Sequence, residues 1–169
     1  MIFIKVIILI SIFWTISQIG MKLAKRYVAR ANNLKQIKKA LKILEAKITY
    51  TYDMLPDLFY EIASRVKGPA GELFKHTGDR MQLEFAGEAW ENAIDRCEMD
   101  LTIEDKETLK TLGKLLGTTD ISGQLNQLNL VNCFLDEQIK EATDSKNKNS
   151  TMYRKLGIIV GLAVTIVLI

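Results

Sequence analysis

The stretch 34-LKQIKKALKILEAKI-48 decides the fold of this chain. Its large apolar side chains recur every three or four residues, at Leu34, Ile37, Leu41, Leu44 and Ile48. That spacing places them on one face of an α-helix, while lysines occupy the other faces. No Gly or Pro interrupts residues 21–52. The pattern therefore predicts one helix that runs without a break to about residue 52.

Shorter helices are predicted between this helix and a second long one. Leu55-Pro56 marks a helix start, Gly68-Pro69 a break, Thr102 a helix N-cap and Gly117 a helix end. The second long helix keeps the three-four spacing through Ile121, Leu125, Leu128, Asn132, Leu135, Ile139 and Ala142. No stretch of the middle alternates with a period of two for long, so we expect an all-α fold.

Both ends of the chain are strongly apolar. Met1 to Met21 carries one charge, on Lys5, and is long enough as a helix to cross a bilayer of about 30 Å. Leu156 to Ile169 carries none, but it is short and needs residues 152–155 to reach across. We therefore expect transmembrane helices at residues 1–21 and 152–169, joined by a helical domain over residues 22–151.

Basic residues flank both apolar ends on the side that faces the middle of the chain. The positive-inside rule then places the helical domain in the cytoplasm and both termini outside. A cleaved signal peptide is the alternative for the N-terminus, with Thr15-Ile16-Ser17 as its best cleavage site, but the heavier basic cluster after the apolar run opposes export.

The two long helices are expected to pack against each other. If both leave the same membrane face, positions at equal height above it meet, so Leu41 lies near Leu135 and Ile48 near Leu128. The predicted fold is thus an antiparallel helical bundle of about six helices, whose long terminal helices continue into N- and C-terminal transmembrane helices.

Small and polar residues form a stripe on each apolar end. They are Ser11, Thr15 and Gln18 on the first segment, and Gly157, Gly161 and Thr165 on the second. Such stripes let helices approach closely in lipid, so we expect these six residues to mediate packing within the membrane.

Charge is unevenly distributed along the chain. Residues 22–47 hold nine basic side chains and one acidic side chain, whereas residues 53–144 hold nine basic and nineteen acidic ones. A basic segment beside a membrane is typical of attraction to anionic lipid headgroups, and the acidic remainder argues against nucleic acid as a partner.

The residues that carry chemistry are few. His76 is the only histidine, without metal ligands at a suitable spacing, and Cys97 and Cys133 are far apart. The acidic residues that follow Thr102 are typical of a first helical turn. No phosphate-binding loop or nucleophile motif occurs. We therefore expect no catalytic residue, cofactor, metal or small-molecule substrate.

One segment combines core residues with two glycines and an acid. It holds Leu112, Gly113, Leu116, Gly117 and Asp120. Glycine inside a helix costs about 1 kcal/mol relative to alanine, so Gly113 is tolerated best where another backbone comes close. One hypothesis is that this acidic end of the bundle docks a partner or a second copy; the alternative is that Gly117 and Asp120 only cap helices.

Several of these motifs together resemble the stage III sporulation protein AB family. They are the run from Leu34 to Tyr50, then Leu55-Pro56, Ala89-Trp90, the segment from Leu112 to Gln124, and Lys155-Leu156-Gly157 with Gly161-Leu162. The resemblance covers nearly the whole chain.

The resemblance implies a membrane scaffold without enzymatic activity, in the channel complex that links mother cell and forespore. It implies as partners the other proteins of that complex, among them its cytoplasmic ATPase AA, and a location in the mother-cell membrane around the forespore. The cytoplasmic helical domain of the family is similar to platform protein F of type II secretion, which has two such domains. A single domain would have to form a platform as a homo-oligomer.

A second function class remains open. The basic flank also fits an autonomous helical protein that binds the lipid surface and needs no protein partner.

Overall fold

The protein is described by a computed structural model over residues 2–51, 53–153, 155–156, 159–160 and 163. In this part of the chain six α-helices follow one another: α1 (Ile2–Tyr50), α2 (Leu55–Arg65), α3 (Pro69–Arg80), α4 (Ala86–Arg96), α5 (Ile103–Gly113) and α6 (Ile121–Ser145). A π-helical turn, Lys146–Ser150, follows α6. The predicted all-α class and the number of helices are confirmed.

The chain divides into two compact units. One unit consists of Met1–Ala31 and Glu141–Ile169, and the other consists of Asn32–Lys140. The second unit holds the short helices α2 to α5 and is called the bundle unit below.

The apolar face of α1 forms one wall of the core of the bundle unit. Leu34, Ile37, Leu41 and Leu44 are fully buried, and Ile48 is nearly so. Lysines occupy the exposed faces between them. The three-four spacing that predicts this helix therefore also identifies its buried side.

Polar contacts connect α1 to α6 in the bundle unit. Lys38 forms an ion pair with Asp136, and the Asn132 side-chain amide donates a hydrogen bond to a Glu45 carboxylate oxygen at 3.4 Å. The contact nearer the start of α1 involves the later residue of α6, and the contact further along α1 involves the earlier one. The two helices are therefore antiparallel. The spacing of these contacts agrees with the predicted proximity of Leu41 and Leu135.

Local chemistry sets the ends of the short helices. Thr102 and Asp105 form a reciprocal cap at the start of α5, in which each side chain accepts a hydrogen bond from the backbone amide of the other, at 3.1 and 2.9 Å. Gly68 precedes α3 with φ +79°, a conformation that favours glycine, and Pro69 then begins the helix.

Three aromatic side chains join α2, α3 and α4. Phe59, Phe74 and Trp90 are fully buried, and their ring centroids lie 5.1 to 5.9 Å apart. The Trp90 indole N–H also donates a hydrogen bond to the Leu109 carbonyl at 2.7 Å, which ties α5 to the same cluster. One tryptophan thus connects all four short helices.

The other unit has its own contacts. The Arg30 guanidinium pairs with both carboxylate oxygens of Glu141 at 3.4 Å, and the Tyr27 and Tyr153 rings stack with centroids 5.7 Å apart. Ile10, Trp14 and Ile19 on α1 expose more than half of their side-chain surface. This unit therefore presents large apolar side chains outward.

The predicted N- and C-terminal transmembrane helices are wrong for the residues that the structure describes. No described helix combines the length and the apolar character that are needed to cross a membrane. Crossing requires about 20 consecutive, predominantly apolar residues.

The aromatic cluster allows a test of the core. Replacing Trp90 with alanine should lower the free energy of unfolding by about 3–5 kcal/mol, because it leaves a cavity and removes the indole hydrogen bond to the Leu109 carbonyl. Denaturant titration followed by circular dichroism measures this value. Tyr50→Ala, at an exposed position, is the control and should change stability by less than about 0.5 kcal/mol. An equally small effect of Trp90→Ala would show that the cluster does not hold the short helices together.

Candidate interaction surfaces

The exit from α5 lies against the first residues of two other helices. Gly117 has φ +75°, and a Cβ atom at this position would lie 3.1 Å from Leu55 Cδ1 and 3.2 Å from Ala86 Cβ. The starts of α2 and α4 therefore meet the end of α5 at one end of the bundle unit. We call this end the tip.

Most of the predicted partner-docking residues are internal. Leu112 and Leu116 are buried in the core and Gly113 is buried as well, whereas Gly117 and Asp120 are exposed. Of the five, only these last two present surface to a partner.

Gly113 lies at a close crossing of α4 and α5 within the chain itself. A Cβ atom on Gly87 would come 2.2 Å from the Gly113 carbonyl oxygen, and one on Gly113 would come 3.0 Å from the Gly87 carbonyl oxygen. The neighbouring backbone expected at Gly113 is thus that of Gly87, and the two glycines together let the helices touch.

Asp120 caps α6. Its carboxylate accepts hydrogen bonds from the Ser122 hydroxyl at 2.6 Å and from the Gly123 backbone amide at 3.0 Å. These two bonds, of which the one from Ser122 has the larger effect, hold the pKa of the Asp120 carboxyl below its usual range. The Gln124 side chain braces the same loop through the Gly117 amide and the Thr119 carbonyl.

Large apolar side chains are exposed at the tip. Met54 and Phe85 are 75% and 79% exposed, Leu83 is 89% exposed and Ile121 is 48% exposed. Met54 and Phe85 occupy the N-cap positions of α2 and α4 and make no side-chain capping bond there. We call these four residues the apolar tip. Sequence reasoning missed them, although an apolar residue directly before a helix start is a readable signal.

Carboxylates lie around the apolar tip. Asp53 precedes Met54, Asp57 and Glu88 lie in the first turns of α2 and α4, and Asp120 precedes Ile121. All four are exposed. Within the described residues Asp53, Asp57 and Glu88 form no ion pair, so their charge faces solvent. One cation, the exposed Lys114 at the end of α5, lies at the same end. With four carboxylates and one lysine, the tip is an apolar surface with a predominantly acidic edge.

A groove of about 770 Å³ lies along α1 in the bundle unit. Six of its lining residues are basic, and these are Lys35, Lys38, Lys39, Lys42, Lys47 and Arg65. Ile43, Ala46 and Ile139 are apolar lining residues, and Asp136 is the one acidic residue of the lining. We call this feature the basic groove. It shares no residue with the apolar tip.

Two of the groove lysines are neutralised and three are not. Lys38 pairs with Asp136, and Lys47 pairs with Glu61 at 2.7 Å. Lys35, Lys39 and Lys42 form no ion pair with any described residue. The groove therefore keeps a net positive charge.

A second cavity, of about 730 Å³, lies beside α3 and α4 and contains His76 and Cys97. The Cys97 thiol donates to the Ile94 carbonyl at 2.9 Å, and burial raises its pKa, which favours the unreactive thiol form. Among the described residues no group of three or more His, Cys, Asp or Glu side chains is arranged to hold a metal ion.

Some of the residues predicted to pack within a membrane are described. Ser11 and Thr15 are exposed on α1, where the Thr15 hydroxyl donates to the Ser11 carbonyl at 2.8 Å, and Gln18 is half-buried. Gly157, Gly161 and Thr165 lie outside the described residues.

Residues 5–169 match the profile of a family described as stage III sporulation protein AB. The chain belongs to the stage III sporulation protein AB family. This match covers nearly the whole length, as the sequence resemblance predicts, and confirms it.

Two individual proteins are similar to this family member. It is 29% identical over 167 residues to the stage III sporulation protein AB of Bacillus subtilis (strain 168), which covers 96% of this chain and 95% of that protein. A solved structure titled stage III sporulation protein AB (SpoIIIAB) superposes with a TM-score of 0.67 at 26% identity, over 71% of this chain and 98% of that one. Both the sequence and the helical fold are therefore those of the family.

The close crossing of α4 and α5 gives a second prediction. Gly87→Ala places a methyl group 2.2 Å from a backbone oxygen, so it should destabilise the bundle unit by about 1–3 kcal/mol through overpacking. Gly113→Ala, whose nearest backbone contact is 3.0 Å, should destabilise it less. Thermal unfolding of the two variants gives the comparison. A Gly113→Ala variant that is less stable than Gly87→Ala would contradict this geometry.

Proposed function

We propose that this chain is a non-enzymatic scaffold of the stage III sporulation complex. In that role it couples the cytoplasmic ATPase AA of the complex to the channel between mother cell and forespore. The observation that carries the proposal is the segregation of the surface of the helical bundle into an apolar tip with a predominantly acidic edge and a basic groove. Membership of the family supports it.

The inventory of the two cavities also supports a scaffold. The basic groove is lined by lysines with few acidic partners, and the second cavity contains one histidine and a thiol whose pKa is raised. A catalytic site needs a nucleophile or base that is activated by a positioned neighbour. The apolar tip and the basic groove instead present exposed apolar area and unneutralised charge, and both of these favour contact with protein.

The proposed location is the mother-cell membrane around the forespore, with the bundle unit in the cytoplasm. Ile10, Trp14 and Ile19 expose apolar surface on α1, and basic residues at positions 22, 25 and 26 follow them. An apolar helical surface beside a basic cluster favours attachment to anionic lipid.

The proposed protein contact is the tip. Of the residues predicted from sequence, Gly117 and Asp120 contribute exposed surface, and Leu112, Gly113 and Leu116 hold that surface in place from inside. The apolar tip adds the area that a protein interface needs at its centre.

A second candidate function rests on the unneutralised lysines of the groove. Lys35, Lys39 and Lys42 would also attract anionic headgroups, which is the chemistry of an autonomous lipid-binding protein. This alternative gives no role to the exposed apolar tip, so the scaffold is the better account.

Recovery of partners from cells tests the proposal. An affinity-tagged full-length chain, extracted from sporulating cells in mild detergent, should retain the ATPase in stoichiometric amount. An unrelated tagged membrane protein of the same cells is the control. Recovery of the chain with lipid but without any protein of the complex would contradict the scaffold and favour the lipid-binding alternative.

A further inference from the structure

We infer that the basic groove receives the apolar tip of a second copy of this chain, so that copies associate head to tail. This inference rests on the proposed scaffold function and gives that scaffold a self-assembly surface. It follows from the complementary polarity and charge of two surfaces on the bundle unit.

The apolar tip uses residues that local helix stability does not favour. Met54 and Phe85 stand at N-cap positions, where Ser, Thr, Asp or Asn would accept a hydrogen bond from a free backbone amide. An apolar residue at an N-cap leaves that amide without its side-chain partner and so weakens the start of the helix. Both side chains are also about three-quarters exposed, so they contribute little burial within their own chain. Two large apolar side chains at such positions fit a role in contact with another surface.

The basic groove has the features that would receive them. Its lining includes the apolar side chains of Ile43, Ala46 and Ile139, and its volume of about 770 Å³ accommodates several side chains. Because six basic residues share that lining, an apolar side chain that enters the groove would meet apolar surface and positive charge together. A concave surface that combines apolar and charged side chains is typical of a binding groove.

Charge then selects the occupant. The groove is lined by five lysines and one arginine against one aspartate. The apolar tip is surrounded by Asp53, Asp57, Glu88 and Asp120. When the tip enters the groove, each apolar surface meets the other and acidic side chains face basic ones. A lipid surface would neutralise the lysines but would leave the apolar tip uncovered, whereas a second copy covers both.

The geometry makes the association head to tail. Because the groove and the apolar tip share no residue, each copy that donates its tip still has an empty groove. Such heterologous contacts produce rings or open chains instead of closed two-fold dimers.

Two variants of the full-length chain separate assembly from folding. The tip variant, Met54→Ser with Phe85→Ser, places good N-cap residues at exposed positions, so it should fold at least as stably as the parent. The groove variant, Lys39→Glu with Lys42→Glu, reverses two exposed lysines that have no ion pair in the described part of the chain. Matched controls are Ile103→Ser, which removes an exposed apolar residue elsewhere, and Lys67→Glu with Lys75→Glu, which makes the same change of charge on α3 and just before it.

Molar mass in mild detergent, measured by light scattering across a concentration series, gives the result. The parent and both controls should assemble as concentration rises, while the tip and groove variants should each remain monomeric. An equimolar mixture of the two variants should form a dimer and nothing larger, because only one intact groove–tip pair is available between them. A monomeric parent, assembly of either variant alone, or a mixture that stays monomeric would overturn the inference.

A parallel measurement tests whether the groove binds lipid instead of a second copy. The groove variant should bind vesicles of phosphatidylglycerol and phosphatidylcholine as well as the control Lys67→Glu with Lys75→Glu does. Loss of vesicle binding in the groove variant, with its assembly unchanged, would make the groove a lipid site and overturn the inference. Failure of the parent to recover the ATPase, with head-to-tail assembly intact, would instead count against the proposed function alone.

Discussion

Burial of the apolar face of α1 is the constraint on which the bundle unit depends. Leu34, Ile37, Leu41 and Leu44 are fully shielded from solvent, and the antiparallel α6 supplies the polar contacts at Asp136 and Asn132 that accompany this burial. Because one face of α1 is committed to the core, its lysines are displayed together on the outer faces. The basic groove is therefore a consequence of the same periodicity that builds the core.

The sequence predicts the periodic parts of this fold well. The seam of α1, the N-cap at Thr102 and the core position of Trp90 follow from local spacing and helix chemistry, and all three are observed. The terminal transmembrane helices were inferred from the apolar ends of the chain, and no described helix meets the requirement for a span.

The surfaces were harder to predict than the core. The backbone expected near Gly113 exists, but it belongs to Gly87 of the same chain, and such a contact depends on how α4 and α5 cross. Met54 and Phe85 are far apart in sequence. They lie on the same surface only because the starts of α2 and α4 meet at Gly117. Together these residues give the scaffold proposal a location on the molecule, since an apolar, acid-edged tip and a basic groove are complementary means of contacting protein.

The pairing of α1 with α6 is tested most directly by disulfide crosslinking. The variant has cysteines at positions 41 and 135 of the full-length chain, with Cys97 and Cys133 replaced by serine. These two cysteines should crosslink on mild oxidation. The reason is that the ion pair of Lys38 with Asp136 and the hydrogen bond between Asn132 and Glu45 lie on either side of this pair of positions. A Leu41 and Leu128 pair, two helical turns out of register, should not crosslink. Efficient crosslinking of the second pair without the first would contradict the antiparallel register on which the account rests.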